Sequence, residues 1–130
     1  MHAILWNGSS ASYVDLNPIG FTRSHAYGIS GNQQIGYGSG SVTGNHDHAL
    51  LWNGNAAGYI DLHQFLPTGF VTSYARGIDS YGNIAGYAID SLGNEHAIVW
   101  SVPEPATIVL WCVAGLAGVG IVRRQRRKQA

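Results

Sequence analysis

The sequence predicts an all-β fold of antiparallel four-stranded repeat units, followed by one C-terminal transmembrane helix. Three observations support this prediction. One five-residue phrase occurs three times, short apolar runs alternate with Gly, Asn, Asp and Ser, and the last 29 residues join a long uncharged run to a basic end. No helical pattern precedes residue 105, and 18 glycines suit a chain with many tight turns.

The internal repeat has a period of nearly fifty residues. The phrase begins at positions 2, 48 and 96, which are 46 and 48 residues apart: His2-Ala3-Ile4-Leu5-Trp6, His48-Ala49-Leu50-Leu51-Trp52 and His96-Ala97-Ile98-Val99-Trp100. Matching text follows in the same order, as Tyr13-Val14-Asp15-Leu16 with Tyr59-Ile60-Asp61-Leu62, and Ile35-Gly36-Tyr37 with Ala85-Gly86-Tyr87. We therefore divide residues 1–101 into a partial unit from residue 1 and two full repeats, at about 7–52 and 53–100.

Each full repeat is predicted to form four short strands. Two full repeats and one closing strand give nine strands in residues 1–101. The apolar runs are four to six residues long and rich in β-formers. The Asn-Gly pairs at 7–8 and 53–54 predict two-residue hairpin turns after a strand. Gly31-Asn32 and Gly82-Asn83 predict further turns, because Gly and Asn tolerate positive φ.

Residues 102–130 are predicted to form a proline-containing linker, one membrane helix and a short basic tail. The run Ala106–Val122 has no charge over 17 residues, the lower limit for crossing a hydrocarbon core of about 30 Å. Residues 1–105 contain two basic and seven acidic residues, a net charge of 2 − 7 = −5, whereas the tail at 123–130 carries +5. Basic flanks stay cytoplasmic, so the C-terminus is predicted inside and the repeats outside.

This tripartite tail resembles the PEP-CTERM sorting domain of Gram-negative bacteria. The matching residues are the motif Val102-Pro103-Glu104-Pro105, the helix Ala106–Val122 and the basic residues Arg123, Arg124, Arg126, Arg127 and Lys128. The resemblance implies insertion in the inner-membrane lipid and processing by an exosortase, a membrane transpeptidase, with release to the cell surface. The chain would be the substrate of that enzyme.

The repeats resemble the bacterial extracellular HAF repeat, with Ile4, Leu50 or Ile98 where that family has Phe. The resemblance implies a propeller-like structure with one four-stranded sheet per repeat. Because propellers typically have at least four blades, the chain is predicted to be an incomplete propeller. No secretory signal peptide is visible at the front, which favours truncation. The alternative is a small two-sheet domain, complete as it stands.

No residue pattern predicts catalysis, a cofactor or a metal site. His46-Asp47-His48 invites a metal interpretation, but His48 recurs as His2 and His96 and is expected to be structural. Asp15 and Asp61 also recur and predict turns. Asp79, Asp90 and Glu95 lack the spacing of a calcium loop. Cys112, the sole cysteine, predicts a small packing residue in the membrane helix.

Two functional hypotheses follow. The first is a non-enzymatic exported surface or secreted repeat protein that associates with an exopolysaccharide matrix and does not bind nucleic acid. Its repeated aromatic side chains would stack on glycans if exposed, although core packing is the more ordinary role for Tyr13, Tyr37, Trp52, Tyr59 and Tyr87. The alternative is a glycan-acting enzyme on a fuller β-propeller, which would need an acidic pair outside the repeat pattern.

Overall fold

The computed structural model describes residues 1–101 and the backbone of residues 109–112. Ten strands and two short 3₁₀ helices, Ser41–Thr43 and Leu62–Phe65, make up this part of the chain. The strands are β1 (Ile4–Trp6), β2 (Tyr13–Asp15), β3 (Phe21–Ser30), β4 (Gln33–Gly40), β5 (His48–Trp52), β6 (Ile60–Asp61), β7 (Phe70–Ile78), β8 (Ile84–Asp90), β9 (Glu95–Ser101) and β10 (Val109–Cys112).

The strands form three antiparallel sheets in chain order. The N-terminal sheet is β1-β2, the middle sheet is β3-β4-β5-β6 and the C-terminal sheet is β7-β8-β9-β10. The prediction of an all-β chain with nine strands in residues 1–101 is confirmed. None of the three sheets closes on itself, so the propeller and the HAF repeat stay predictions.

The repeated phrase occupies the same place in each sheet. It forms β1, β5 and β9, and in the two larger sheets a glycine-tyrosine strand pairs with it. Leu51 pairs with Ile35 in the middle sheet, and Val99 pairs with Ala85 at the equivalent point of the C-terminal sheet. Because strand residues alternate between faces, each sheet presents the same repeat positions to the sheet before it and the sheet after it.

Consecutive sheets bury one hydrophobic core between each pair. The core between the N-terminal and middle sheets contains Ala3, Leu16, Phe21, Leu50 and Trp52. The core between the middle and C-terminal sheets is larger and contains Ile35, Ala49, Leu51, Leu62, Ala75, Ile84, Ala88, Ile98 and Trp100. Each sheet thus depends on its neighbours for burial, as in repeat proteins generally.

Glycine is required at one position in each larger sheet, where the backbones of the first two paired strands lie very close together. A Cβ on Gly36 would lie 1.8 Å from the His25 carbonyl oxygen, and one on Gly86 would lie 1.9 Å from that of Tyr74. No side chain fits at such distances. The repeated Gly-Tyr pair therefore combines a forced glycine with an aromatic residue on the other face.

The turns are partly as predicted. Gly31-Asn32 joins β3 to β4 directly, with Gly31 at φ +56°. The prediction that Asn7-Gly8 and Asn53-Gly54 form two-residue hairpins is wrong. The loop between β1 and β2 has six residues, and the loop between β5 and β6 has seven. Gly8 and Gly54 do have φ of +88° and +87°, so each pair starts a longer loop in which its positive-φ glycine turns the chain.

Only part of the predicted membrane helix at 106–122 lies among the described residues. Val109–Cys112 form β10, which pairs with β9 from Val109 opposite Ser101 to Cys112 opposite Ile98. Without β10, strand β9 would be the edge of the sheet and its outer backbone groups would be unpaired; β10 forms hydrogen bonds with them. Within the described ranges, no helix has the length and apolar character needed to cross a membrane. Residues 106–108 and 113–122 lie outside those ranges.

Candidate functional site

The sorting residues predicted from the sequence are outside the described part of the chain. This applies to Val102-Pro103-Glu104-Pro105 and to the basic residues from Arg123 to Lys128. The description of the repeat region ends at Ser101, the last residue of β9 and the partner of Val109. The side chains that the structure describes therefore all belong to the repeat region, residues 1–101.

A polar network joins the middle sheet to the C-terminal sheet. His48 Nδ1 lies 2.8 Å from Asp61 Oδ2, and the His48 ring stacks on His63 at 4.0 Å. His63 Nε2 faces the Phe70 carbonyl oxygen at 3.1 Å and must donate to it, so Nδ1 accepts from the Ser73 hydroxyl at 2.8 Å. Burial, and next the neighbouring His48, lower the pKa of His63, which fits a neutral ring.

Ser73 closes this network on the repeated phrase. Its Oγ accepts from the Ala49 backbone N–H at 2.9 Å, and its own N–H donates to the Asp47 carbonyl oxygen at 2.9 Å. Ser73 is fully buried. Asp61 pairs with the ring of His48, and it accepts from the backbone N–H of His63 but does not orient the His63 ring. The arrangement is therefore unlike a nucleophilic triad, in which one carboxylate orients the base beside an accessible hydroxyl.

The same network joins the N-terminal sheet to the middle sheet with an amide in place of the imidazole. Asn17 Oδ1 accepts from the Ser24 hydroxyl at 2.7 Å, and Asn17 Nδ2 donates to the Phe21 carbonyl at 2.9 Å. Ser24 Oγ accepts from Ala3 N–H, and His2 pairs with Asp15 at 2.8 Å. Because Asn cannot act as a base at this position, the shared role of both networks is to lock one sheet onto the next.

The third histidine of the phrase has a different partner. His96 Nε2 lies 2.9 Å from Asp90 Oδ2, on the adjacent strand β8. Asp90 also accepts from the backbone N–H groups of Leu92 and Asn94 and holds the β8–β9 turn. The His96 hydrogen bond is the largest contribution to the lowered pKa of Asp90. The recurring histidines were expected to be structural, and each of them pairs with an aspartate side chain.

Aspartates that invited a metal interpretation hold local structure instead. Asp79 accepts from the N–H groups of Tyr81 and Asn83 and from the Asn83 side chain, which lowers its pKa. Asp47 accepts from Arg23 Nη2 through both carboxylate oxygens, at 2.8 and 3.0 Å. Among the residues with described side chains, no three His, Cys, Asp or Glu residues are grouped to hold a metal ion.

An aromatic cluster spans the middle and C-terminal sheets. We define it as Tyr27, Tyr37, Tyr74, Tyr87 and Arg76. Tyr27 stacks with Tyr37 at 5.6 Å, Tyr37 meets Tyr74 edge-on at 4.8 Å, and Tyr74 stacks with Tyr87 at 4.9 Å. The Arg76 guanidinium links the two ends of this row of rings, because its carbon lies 4.6 Å from the centre of the Tyr27 ring and 5.5 Å from that of Tyr87. Such contacts favour a cation held over two rings.

Charge at the base of the aromatic cluster orients it. The Tyr74 hydroxyl donates to Asp47 Oδ2 at 2.8 Å, and Asp47 also binds Arg23. Burial and the nearby Asp47 carboxylate raise the pKa of Tyr74 to about 12, so the phenol stays protonated. At the outer side, Tyr27 is 45 % exposed and Arg76 is exposed. The cluster thus has an anchored base and a polar-aromatic rim open to solvent.

The sequence predicted two of the cluster's aromatic residues and missed two. Tyr37 and Tyr87 were candidates; Trp52 is fully buried, and Tyr59 packs edge-on against Phe21 at 5.3 Å. Tyr13 is exposed on β2, away from the cluster. Tyr27 and Tyr74 were missed; they lie on β3 and β7, the first strands of the two larger sheets. Alternation along those strands was the available signal.

Comparison with known proteins identifies the C-terminal segment. Residues 101–128 match the family model of the PEP-CTERM protein-sorting motif. The motif supports a protein that is targeted to an exosortase and exported to the cell surface. No curated protein and no solved structure matches the chain. The match covers the tail, and the repeat region is characterised by its geometry alone.

Proposed function

We propose that this chain is a non-enzymatic surface protein, held for a time in the inner membrane and released by an exosortase. The observation that carries the proposal is the match of residues 101–128 to the sorting motif. Cleavage near Val102-Pro103-Glu104-Pro105 would separate the β-repeats from the tail. The prolines support access to this segment, because they disfavour helix and leave the backbone extended.

In this proposal residues 106–122 form one membrane helix, with the basic tail in the cytoplasm and the repeats outside. The charge split of −5 against +5 supports that orientation. Val109–Cys112 would leave β9 on insertion, because a lone strand cannot satisfy its backbone in lipid and a helix can. The membrane-bound form would therefore expose the β9 edge that β10 covers.

The side-chain contacts of the repeat region favour a binding role over a catalytic one. The five aspartates Asp15, Asp47, Asp61, Asp79 and Asp90 all bind histidine, arginine, tyrosine or backbone groups and hold the sheets or turns. A glycan hydrolase on a fuller propeller, the alternative, would need two carboxylates free to face a glycosidic bond. We propose that the rim of the aromatic cluster, Tyr27 with Arg76, contacts polysaccharide of the extracellular matrix.

The sorting proposal is tested by replacing Pro103-Glu104-Pro105 with Ala-Gln-Ala in the full chain expressed in a host with an exosortase. We expect the uncleaved chain to accumulate in the inner-membrane fraction, while the wild type reaches the medium or cell surface. Pro67→Ala is the matched control, since Pro67 is exposed and lies in a loop of the repeat region. Unchanged release of the replaced chain, or a wild type found soluble in the cytoplasm, contradicts the proposal.

The polysaccharide proposal is tested separately, by co-sedimentation of the full chain with the host's purified exopolysaccharide. Tyr27→Ala and Arg76→Ala should each reduce the bound fraction. Tyr81→Ala is the control, because Tyr81 is 84 % exposed but lies in the β7–β8 turn, outside the aromatic cluster. Equal binding by all four chains contradicts this role for the cluster and leaves the sorting proposal intact.

A further inference from the structure

The two ends of the sheet series each expose a face that is buried in the interior copies. Trp6 is 60 % exposed, whereas its repeat equivalents Trp52 and Trp100 are both fully buried. At the other end Ala97 is exposed, whereas its equivalents Ala3 and Ala49 are buried. The phrase keeps His, Ala and Trp at all three places and varies only at its third and fourth residues. The difference is the presence or absence of a neighbouring sheet.

The interior junctions show what covers each of these faces. Ile35, Ala49 and Leu51 of the middle sheet pack in one core with Ile98 and Trp100 of the C-terminal sheet. The alanine–isoleucine–leucine face of one sheet is thus covered by the isoleucine–tryptophan face of the next. Leu62 of the second 3₁₀ helix also packs in this core, and Trp100 Nε1 donates to its carbonyl oxygen.

Both halves of this interface recur at the ends of the series, where no other sheet of the described residues packs on them. The outer face of the C-terminal sheet carries Ala85, Ala97 and Val99, at the positions of Ile35, Ala49 and Leu51. Ala85 and Ala97 are exposed. The outer face of the N-terminal sheet carries Ile4 and Trp6, at the positions of Ile98 and Trp100. One molecule therefore presents both sides of a junction that it already forms internally.

We propose that the chain associates head to tail with a second copy of itself. Ile4 and Trp6 of one molecule pack on Ala85, Ala97 and Val99 of the next, continuing the sheet series across the molecular boundary. The interface is heterologous, so it does not close after two molecules and permits longer assemblies. Trp6 is the anchor, because buried tryptophans contribute most to such interfaces.

Complementation between two variants tests this geometry. Trp6→Glu removes the N-terminal side of the junction and leaves the other side intact, and Ala97→Glu does the reverse. Each full-length variant, solubilised in mild detergent and followed by sedimentation velocity, should associate more than about tenfold more weakly than the wild type. Mixed together, the two variants should form a one-to-one dimer and nothing larger.

Further variants control for folding and for contacts made by the tail. Ala85→Glu tests the same face as Ala97→Glu at a second exposed position, and circular dichroism reports whether each variant is folded. Leu92→Glu should associate like the wild type, because Leu92 is 85 % exposed in the β8–β9 turn. The double variant Trp6→Glu/Ala97→Glu reports any association through residues 102–130.

Several results would overturn the proposal. A monomeric wild type, or wild-type association retained in the double variant, removes the sheet faces from the interface. A mixture of the two single variants that stays monomeric excludes the head-to-tail arrangement. Loss of association in Trp6→Glu but not in Ala97→Glu or Ala85→Glu indicates symmetric pairing through the N-terminal sheets instead.

Discussion

The junction between the N-terminal and middle sheets and the junction between the middle and C-terminal sheets use one hydrogen-bond plan in two environments. At the first, the side chains of His2 and Asp15 are 45 % and 47 % exposed; at the second, those of His48 and Asp61 are 16 % and 26 % exposed. The distance between the paired atoms is 2.8 Å in both. The first junction has a two-stranded sheet on one side, and the second has four strands on each side.

The tryptophans of the phrase show a second difference between the junctions. Trp100 Nε1 donates to the Leu62 carbonyl at 3.1 Å across the second junction. Trp52 is equally buried at the first junction, but its Nε1 has no hydrogen-bond partner among the residues that the structure describes. The repeat therefore specifies where the indole goes, while the facing sheet decides whether its donor is satisfied. Mutations at equivalent positions should separate these contributions.

The largest expected effect is the loss of a core tryptophan. Trp52→Ala and Trp100→Ala should each lower the free energy of unfolding by about 3–5 kcal/mol, because both side chains are fully buried and leave a cavity. Urea unfolding of the full chain in detergent, followed by far-ultraviolet circular dichroism, measures the loss. A near-neutral Trp52→Ala would show that the first junction contributes little to stability.

Conservative replacements at the same positions isolate the indole donor. Trp100→Phe leaves the buried Leu62 carbonyl without its partner, which costs about 1–3 kcal/mol beyond the change of shape. Trp52→Phe removes a donor that has no partner. Trp100→Phe should therefore be the more destabilising of the two. Equal losses would mean that the Trp100 hydrogen bond has no net value.

An intermediate effect is expected from the serines that lock the sheets together. Ser73→Ala leaves the buried Ala49 N–H unpaired and should cost about 1–3 kcal/mol. Ser24→Ala does the same to Ala3 N–H. We expect a smaller loss there, because the neighbouring His2–Asp15 pair is far more exposed than His48–Asp61. Ser9→Ala, at an exposed loop position, should stay within about 0.5 kcal/mol of wild type. A larger loss for Ser24→Ala would reverse the proposed order of the junctions.

The smallest expected effect is on the pH dependence of stability. It arises because the second junction has His63 where the first has Asn17. Because the pKa of His63 is lowered in the folded state, the unfolded chain binds more protons below about pH 6.5. This part of the stability is complete above that pH and is lost as the pH falls. His63→Asn copies Asn17 of the first junction and should remove this slope while keeping the hydrogen bonds to Ser73 and Phe70.

Urea midpoints measured between pH 5 and 8 test this prediction. His25→Asn is the control, because His25 lies on β3 and is not among the groups that shift the pKa of His63, so the slope should stay unchanged. A His63→Asn chain with the wild-type pH slope would place the titrating group elsewhere. A chain that is destabilised equally at every pH would show that the imidazole cannot be replaced by the amide.

Most of the strand pattern could be predicted from the sequence, and most of the site could not. The phrase from His48 to Trp52 marks a strand because of its alternating apolar residues and its recurrence. Asn53-Gly54 misled the hairpin prediction, since positive φ suits loops of several lengths. The aromatic cluster needs Tyr27 and Arg76, whose meeting depends on how two sheets pack, and local spacing carries no such information.

The sequence by itself determined the all-β repeat architecture, the nine strands before residue 102 and the sorting motif at the C-terminus. These depend on local periodicity, repetition and composition, which a single chain displays directly. Only the tertiary structure decided that Trp6 is exposed while Trp52 and Trp100 are buried. It also decided that His48 binds Asp61 while His96 binds Asp90. Nearly identical phrases acquire different surroundings because burial and pairing depend on the adjacent strands and sheets, which differ along the series.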